Sequence, residues 1–168
     1  MSCTIELKRP TVGRMYRRIV KHKVSALFAQ ANDGNWMAIV DNLAPTFRYR
    51  FVGDTPLGGT RTTHVAMRRW FERLYRLFPD SKFAVQDIVV EGPPWATTIM
   101  TYVKIAGTVP GAAAQPAPYE NEFMQHMKLR WGRITSVLTL EDTQRFSNIL
   151  GVLASSGIAD ATASPITD

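Results

Sequence analysis

The sequence has one cysteine, Cys3, only three histidines and no long hydrophobic run. A single cysteine cannot form an internal disulfide, so the expectation is a reducing, cytoplasmic location. No apolar stretch approaches the ~20 residues that cross a bilayer. The opening MSCTIELKRPTVGRMYRR lacks an apolar segment between a basic stretch and a small-residue cleavage site. Neither a membrane partner nor a secretory signal is therefore expected. His22, His64 and His126 show no metal-ligand spacing, and the LGG of residues 57–59 is no phosphate-binding fingerprint. No metal and no cofactor are expected.

Acidic residues are scarce at one end. Seven Lys and Arg residues face Glu6 alone in the first 23 positions, and the remaining chain has 13 basic and 13 acidic residues. The net charge of +6 thus belongs to an arm and the first turns of a helix. Such a segment can meet phosphate or acidic surfaces, but no aromatic-interleaved basic sheet accompanies it. A solvated helix face is the preferred reading, and a nucleic-acid partner is not expected.

At 168 residues the chain is the size of one compact domain. Residues 1–13 read as a flexible basic arm, 14–153 as the domain and 154–168, rich in Ala, Ser and Thr, as a disordered tail. Tyr16, Val20, Val24, Leu27 and Ala31 recur at helical spacing, and Gly34 suits a left-handed cap after them. A short helix, NWMAIVDNLA, follows, and PTFRYRFVG alternates as a strand. Then GDTPLGGTRT reads as a loop in which Thr62 or Thr63 caps the next helix. That helix puts Met67, Trp70, Phe71, Leu74, Leu77 and Phe78 on one side, and Pro79 ends it. SKFAVQDIVVEG and WATTIMTYVKIAG read as two strands, TVPGAAAQPAP as a mobile loop, and YENEFMQHMKLRW with RITSVLTLED as a final hairpin. Asp142 is placed to cap a last helix, TQRFSNILGVL. Helices followed by consecutive strands predict an α+β fold, with the helices covering one face of a single curved sheet.

The stretch from VSALFAQANDGNW through VGDTPLGGTR to YENEFMQHMKLRWGRITSVLTLED resembles the SnoaL-like branch of the nuclear transport factor 2-like (NTF2-like) superfamily, over roughly residues 14–150. The resemblance implies a cone: a bent antiparallel or mixed sheet wrapped around N-terminal helices, with a pocket at the wide end, commonly in a homodimer. It also implies a small hydrophobic molecule as partner.

The closing hairpin decides what lines that pocket. A three-residue loop with Gly132 left-handed places Leu129 opposite Arg133, Gln125 opposite Val137 and Phe123 opposite Thr139. Asn121, Phe123, Gln125, Met127 and Leu129 then face inward, while Glu120, Glu122, Met124, His126, Lys128 and Arg130 face out, since charge avoids an apolar interior. A two-residue turn would slip this register by one.

Ketosteroid isomerases share the implied fold and need a carboxylate base with a tyrosine and a protonated aspartic acid at the enolate oxygen. The resemblance puts those positions at Arg50, Leu27 and Gln125, none of which supplies the required group. The family's epoxide hydrolases carry an acid where Thr139 stands here. Catalytic candidates are therefore Asp87, Glu141 and Asp142, with a helix cap as the preferred role of Asp142. Ligand-binding candidates are Arg50, Asn121, Phe123, Gln125, Thr139 and Trp70. An inward Arg50 would hold a carboxylate, phosphate or enolate in its guanidinium fork. Phe47, Tyr49 and Phe51 are the competing inward set on that strand. Asp87 alternates with Phe83, Val85 and Val89, which leaves it either buried or on an outward-facing strand. Trp70 is read as core before ligand platform, and His126 as a surface or dimer-interface residue.

Two functions follow. One is a pocket for a hydrophobic molecule with a carbonyl or acidic group, with cofactor-free cyclase, isomerase, dehydratase or hydrolase chemistry; SnoaL-like relatives include polyketide cyclases. The other is a non-catalytic dimeric association module. Bulky side chains filling the cone would favour the second.

Overall fold

The computed structural model describes residues 12–110 and 115–168. Most of the basic arm, Cys3 included, and part of the Ala-rich loop lie outside the described residues. Helix α1 runs Val12–Asn32, so the last two positions assigned to the arm are helical. It buries Val20, Val24 and Ala31 from the expected stripe and ends where Gly34 takes φ +84°. The short α2, Met37–Asp41, stops before Leu43 and Ala44, which open strand β1 (Leu43–Phe51). Within the expected loop, Gly59–Arg61 forms β2 against the end of β1. Thr63, not Thr62, caps α3 (His64–Leu77), its hydroxyl accepting from the Ala66 amide.

Strands β3 (Lys82–Glu91), β4 (Thr97–Pro110), β5 (Pro116–Arg130) and β6 (Arg133–Glu141) follow, then α4 (Thr143–Ser155). The sheet order is β2-β1-β6-β5-β4-β3, antiparallel except for the parallel β1–β6 pair. The architecture is the expected α+β one, a curved six-stranded sheet around helices. The loop after Gly107 is shorter than expected, because Thr108↔Pro118, Val109↔Ala117 and Pro110↔Pro116 extend the β4–β5 ladder.

The closing hairpin departs from expectation twice. Arg130 pairs with Arg133, so the turn has two residues, Trp131 (φ 52°) and Gly132 (φ 77°). Two consecutive positive φ values give the primed turn whose twist matches the strands. Trp131 lies where L residues are disfavoured, but its amide donates to the Pro94 carbonyl at 2.7 Å and its ring rests 5.8 Å from that of Trp95. The second departure is a bulge: Leu129 pairs with Ile134 and Lys128 with Ser136, leaving Thr135 extra. Beyond it Met127 faces Val137, Gln125 faces Thr139 and Phe123 faces Glu141, two residues away from the expected pairing. An even displacement preserves which side each residue faces.

The tail expected to be disordered packs instead. Residues 159–162 form a 3-10 turn, and Ala161 and Ile166 are buried. Asp160 pairs with Arg73 and Arg76. Asp168 accepts from the amides and hydroxyls of Thr62 and Thr63, and a further anchor is Arg61, which is fully buried and forms no salt bridge among the described residues. Its guanidinium donates to the carbonyls of Leu57, Gly58, Gly59 and Ile166, and lies over the Tyr49 and Trp70 rings. A buried cation demands such acceptors, and the tail supplies one.

Candidate functional site

A cavity of about 80 Å³ lies between the helices and the sheet. Phe28 and Ile39 come to it from α1 and α2, Tyr49 and Phe51 from β1, and Trp70, Phe71 and Leu74 from α3. Phe123 and Gln125 of β5, Thr139 and Glu141 of β6, and Phe146 of α4 line it too, as does Tyr119. The lining is dominated by aromatic rings because alternating strand positions and one helical stripe all converge on it.

Glu141 supplies the one acidic group in that lining. The Tyr119 hydroxyl donates to its Oε1 at 2.6 Å and Asn121 Nδ2 donates to the same oxygen at 2.7 Å. Asn121 Nδ2 also donates to the Asp142 carbonyl at 3.1 Å, while its Oδ1 accepts from the Glu122 amide at 2.9 Å. The amide orientation is thereby fixed at both ends. Both side-chain bonds fall on Oε1, so Oε2 has no hydrogen bond among the described residues. Burial pushes the Glu141 carboxyl up to about 7, against the two donors, which pull it down; the neighbouring Asp142 charge also raises it. Burial first, and then the Glu141 charge, push the Tyr119 phenol above its ordinary value, which keeps it a proton donor.

A second polar line crosses the wall two residues back along β6. Gln125 Nε2 donates to Thr139 Oγ1 at 3.1 Å, and Thr139 donates to the Tyr49 hydroxyl oxygen at 3.3 Å. Burial holds the Tyr49 phenol up at about 12, so it too stays protonated. In this arrangement Gln125 keeps one amide hydrogen free, and Tyr49 keeps its own hydroxyl hydrogen to donate. Thr139 and Glu141 sit ~7 Å apart along one face, the i,i+2 spacing of a strand.

The candidates divide accordingly. Phe123, Gln125, Thr139, Trp70 and Glu141 line the cavity. Trp70 is also core, with its indole N–H donating to the Leu57 carbonyl at 2.8 Å. Asn121 is buried beside the cavity and holds Glu141. Asp142 is exposed and caps α4, accepting from the Gln144 and Arg145 amides at 3.1 and 3.2 Å. Arg50 is a correction: it is exposed on the outer face, because Phe47, Tyr49 and Phe51 take the inward positions of β1. Asp87 is another. The register of β3 shifts at Gln86, so Ile88 and Val90 turn in while Asp87 is exposed and its carboxylate accepts from the Ile88 amide. His126 is half-buried on the outer face, paired across the sheet with Met100 and Leu138.

Tyr49 and Tyr119 were missed as functional groups. Tyr119 was legible: it stands two positions before Asn121, on the same alternating set. Tyr49 was visible only as an apolar competitor of Arg50, and its hydroxyl gains meaning from Thr139, a residue 90 positions away.

A sheet folded around helices over such a cavity defines the class, a domain of the NTF2-like cone fold. Residues 24–137 match the family model of the SnoaL-like domain, and the chain belongs to that family. Among solved structures it is similar to PrhC from Penicillium brasilianum, at 16% identity and TM-score 0.72, over 86% of this chain and 94% of that one. A candidate SnoaL-like polyketide cyclase from Jannaschia sp. CCS1 gives 16% identity and TM-score 0.63, over 79% and 92%. Wild-type IdmH, a candidate polyketide cyclase from Streptomyces antibioticus, gives 22% and 0.61, over 79% and 99%. These likenesses speak to the fold. No curated protein matches the sequence. Among the described residues no three His, Cys, Asp or Glu side chains gather to hold a metal ion, and no helix is long and apolar enough to cross a membrane.

Proposed function

We propose that this chain binds a small hydrophobic molecule bearing an enolisable carbonyl and moves a proton at the adjacent carbon, without a cofactor, in the manner of a polyketide cyclase. The observation that carries this reading is Glu141: a carboxyl with one oxygen anchored by Tyr119 and Asn121 and the other unengaged, on the wall of an aromatic cavity. A base with a pKa near neutrality combines an adequate ionised fraction with adequate driving force. Glu141 Oε2 takes the proton as the C–H bond breaks. The electron pair moves into the new C=C bond, and the charge that develops on the carbonyl oxygen is met by the Tyr49 hydroxyl and the free Gln125 amide hydrogen. The enolate carbon then attacks an electrophilic carbonyl of the same molecule to close a ring, and the proton held by Glu141 passes to the resulting alkoxide. The candidate cyclases of similar fold point the same way.

The test is hydrogen–deuterium exchange at the α-carbon of an aryl alkyl ketone, followed by proton NMR in D2O. Glu141→Gln should slow exchange at least 100-fold while ketone affinity stays within threefold. Equal exchange in the two proteins would overturn the assignment of the base.

A homodimer belongs to the same reading. Val89, Met124 and Leu140 are 48%, 46% and 49% exposed on the outer sheet face, where Met100, His126 and Leu138 continue the cross-strand row of Val89, and Met124 pairs with Leu140 in the next row. An exposed apolar patch on a sheet marks an interaction surface. Sedimentation equilibrium should give a dimer that Met124→Lys with Leu140→Lys dissociates; a monomeric wild type would refute it. The same patch supports the second reading, a non-catalytic association module in a cytoplasmic protein, and so do the aromatic side chains that leave only about 80 Å³ beside Glu141; that reading survives if the exchange test fails and the dimer remains.

A further inference from the structure

Two tryptophans stand exposed side by side at one end of the sheet. Trp95, in the turn between β3 and β4, is 57% exposed, and Trp131, in the closing turn, is 67% exposed. Their rings lie 5.8 Å apart, and the bond from the Trp131 amide to the Pro94 carbonyl ties the two turns together. The first turns of α1 come to the same end. The Tyr16 hydroxyl bonds to Thr97, two residues beyond Trp95, and Arg17 pairs with Glu91 at 3.0 Å. Ile19 and Lys23 line, together with Gly132, a cavity between α1 and the closing hairpin. Ile19 and Met15, one helical turn apart, are each more than half exposed. Single exposed apolar residues are ordinary, but a tryptophan pair beside an apolar helix edge marks a contact surface.

The charge around these side chains is of one sign. Residues 12–23 hold Arg14, Arg17, Arg18, Lys21 and Lys23, all exposed, and no acid. Arg130 and Arg133 flank the Trp131 turn and are exposed as well. Against these seven cations stand Glu91, already paired with Arg17, and Asp41, whose backbone carbonyl accepts from Arg133. What covers this end must therefore be anionic and apolar at once. A second copy of the chain would bring cations against cations. A nucleic acid would meet the cations but leave Met15 and Ile19 in water. An anionic bilayer meets both demands: its lipid headgroups take the lysines and arginines, tryptophans settle at the headgroup level, and aliphatic side chains reach the acyl boundary.

We propose that this end of the protein docks on the surface of an anionic phospholipid bilayer, with Trp95, Trp131, Met15 and Ile19 seated in the interface and the surrounding lysines and arginines on the lipid headgroups. The absence of a helix able to cross a membrane among the described residues bears on spanning and not on such a contact. Helix α1 packs on the inner side of the sheet, through Phe28 against Phe83 and Phe123, so docking leaves the outer face free for the dimer. The inference is independent of the pocket reading.

The experiment is cosedimentation of the full chain with vesicles of phosphatidylcholine, with and without one third phosphatidylserine, with tryptophan fluorescence read in parallel. The protein should bind the phosphatidylserine vesicles at least tenfold more tightly, with a blue shift as the exposed indoles leave water. Trp95→Ser with Trp131→Asn should weaken that binding at least tenfold and remove the shift; Asn before Gly is a preferred pair for the primed turn, so the hairpin is kept. Met15→Gln with Ile19→Gln should weaken it at least fivefold. Each cation near an anionic surface is worth about fivefold, so Arg14→Gln with Arg18→Gln and Lys21→Gln should cost at least twentyfold. All these sites are exposed, and circular dichroism checks that each variant is folded. No binding to either vesicle, equal binding to both, or binding indifferent to the tryptophan pair would overturn the proposal. So would tighter binding to a DNA or RNA oligonucleotide that the tryptophan and Met15–Ile19 variants leave unchanged, which would make the surface a nucleic-acid one.

Discussion

Replacing Glu141 by Gln should make the protein more stable, and only above a definite pH. In the folded chain the carboxyl titrates near 7 because burial penalises its charge, while its ordinary value is 4.5. The folded state therefore holds this proton more tightly than the unfolded state does, and between those two values stability falls as pH rises. Below pH 4.5 the acid is neutral in both states and the term vanishes. Above 7 it is ionised in both, and the folded state bears the full penalty. At 1.36 kcal/mol per pH unit the penalty is at most about 3 kcal/mol, less what residual solvent contact screens. Gln keeps an oxygen to accept from Tyr119 and Asn121 and never carries the charge. Urea unfolding from pH 4 to 9 would measure the difference between variant and wild type. Near pH 4.5 the two midpoints should agree, and above pH 7 the variant should unfold at roughly 1 M more urea, given a slope of about 2 kcal/mol per molar. A difference that does not change with pH, or a wild type that gains on the variant as pH rises, would mean that the carboxyl is not buried as described.

Three further substitutions check other parts of the molecule by chemical denaturation. Ile166→Ala should cost about 2 kcal/mol if the tail packs as described, and a change under about 0.3 kcal/mol would mean that it does not. Gly132→Ala meets no neighbouring atom within 4 Å, so its expected cost of about 1 kcal/mol comes from the left-handed backbone alone. No loss there would rule out the primed turn. Asp142→Ala removes two capping bonds at the start of α4 and should cost about 1 kcal/mol; a stability loss with unchanged α-proton exchange would confirm a cap, and an abolished exchange at full stability would refute it.

Where one face of an element is apolar and the other charged, the sequence carried enough to place it. The α1 stripe, the charged back of α3 and the alternation of Asn121, Phe123 and Met127 all lead to the observed burial. Arg50 and Asp87 were less legible for different reasons. On β1 the arginines and the aromatic residues alternate cleanly, and only the family position of Arg50 argued for turning the charge inward. On β3 the extra residue at Gln86 reverses the facing midway, so no single alternation describes the strand. The tail was opaque because its composition resembles a linker, and its anchor is the carbonyl of Ile166 on an arginine 105 positions earlier.

The β6 strand shows why such reversals carry the chemistry. With a two-residue turn and no bulge, the pairing of Leu129 with Ile134 would continue as Met127 with Ser136 and Gln125 with Leu138. Thr139 and Glu141 would then point outward, and the cavity would meet Leu138 and Leu140. The extra residue at Thr135 exchanges the faces of everything beyond it, bringing Thr139 and Glu141 onto the wall. The pattern of β6 does not announce this, because Leu138 and Leu140 make its outer face nearly as apolar as its inner one, and a strand with two apolar faces has no preferred register of its own. The side chains of β5 decide instead: they are apolar on one side and charged on the other, and β6 must match them. Deleting Thr135 should accordingly leave the hairpin closed but return Glu141 to the outer face. That deletion should remove both the rise in its pKa and any α-proton exchange, and persistence of either would show that the bulge does not set the facing of β6.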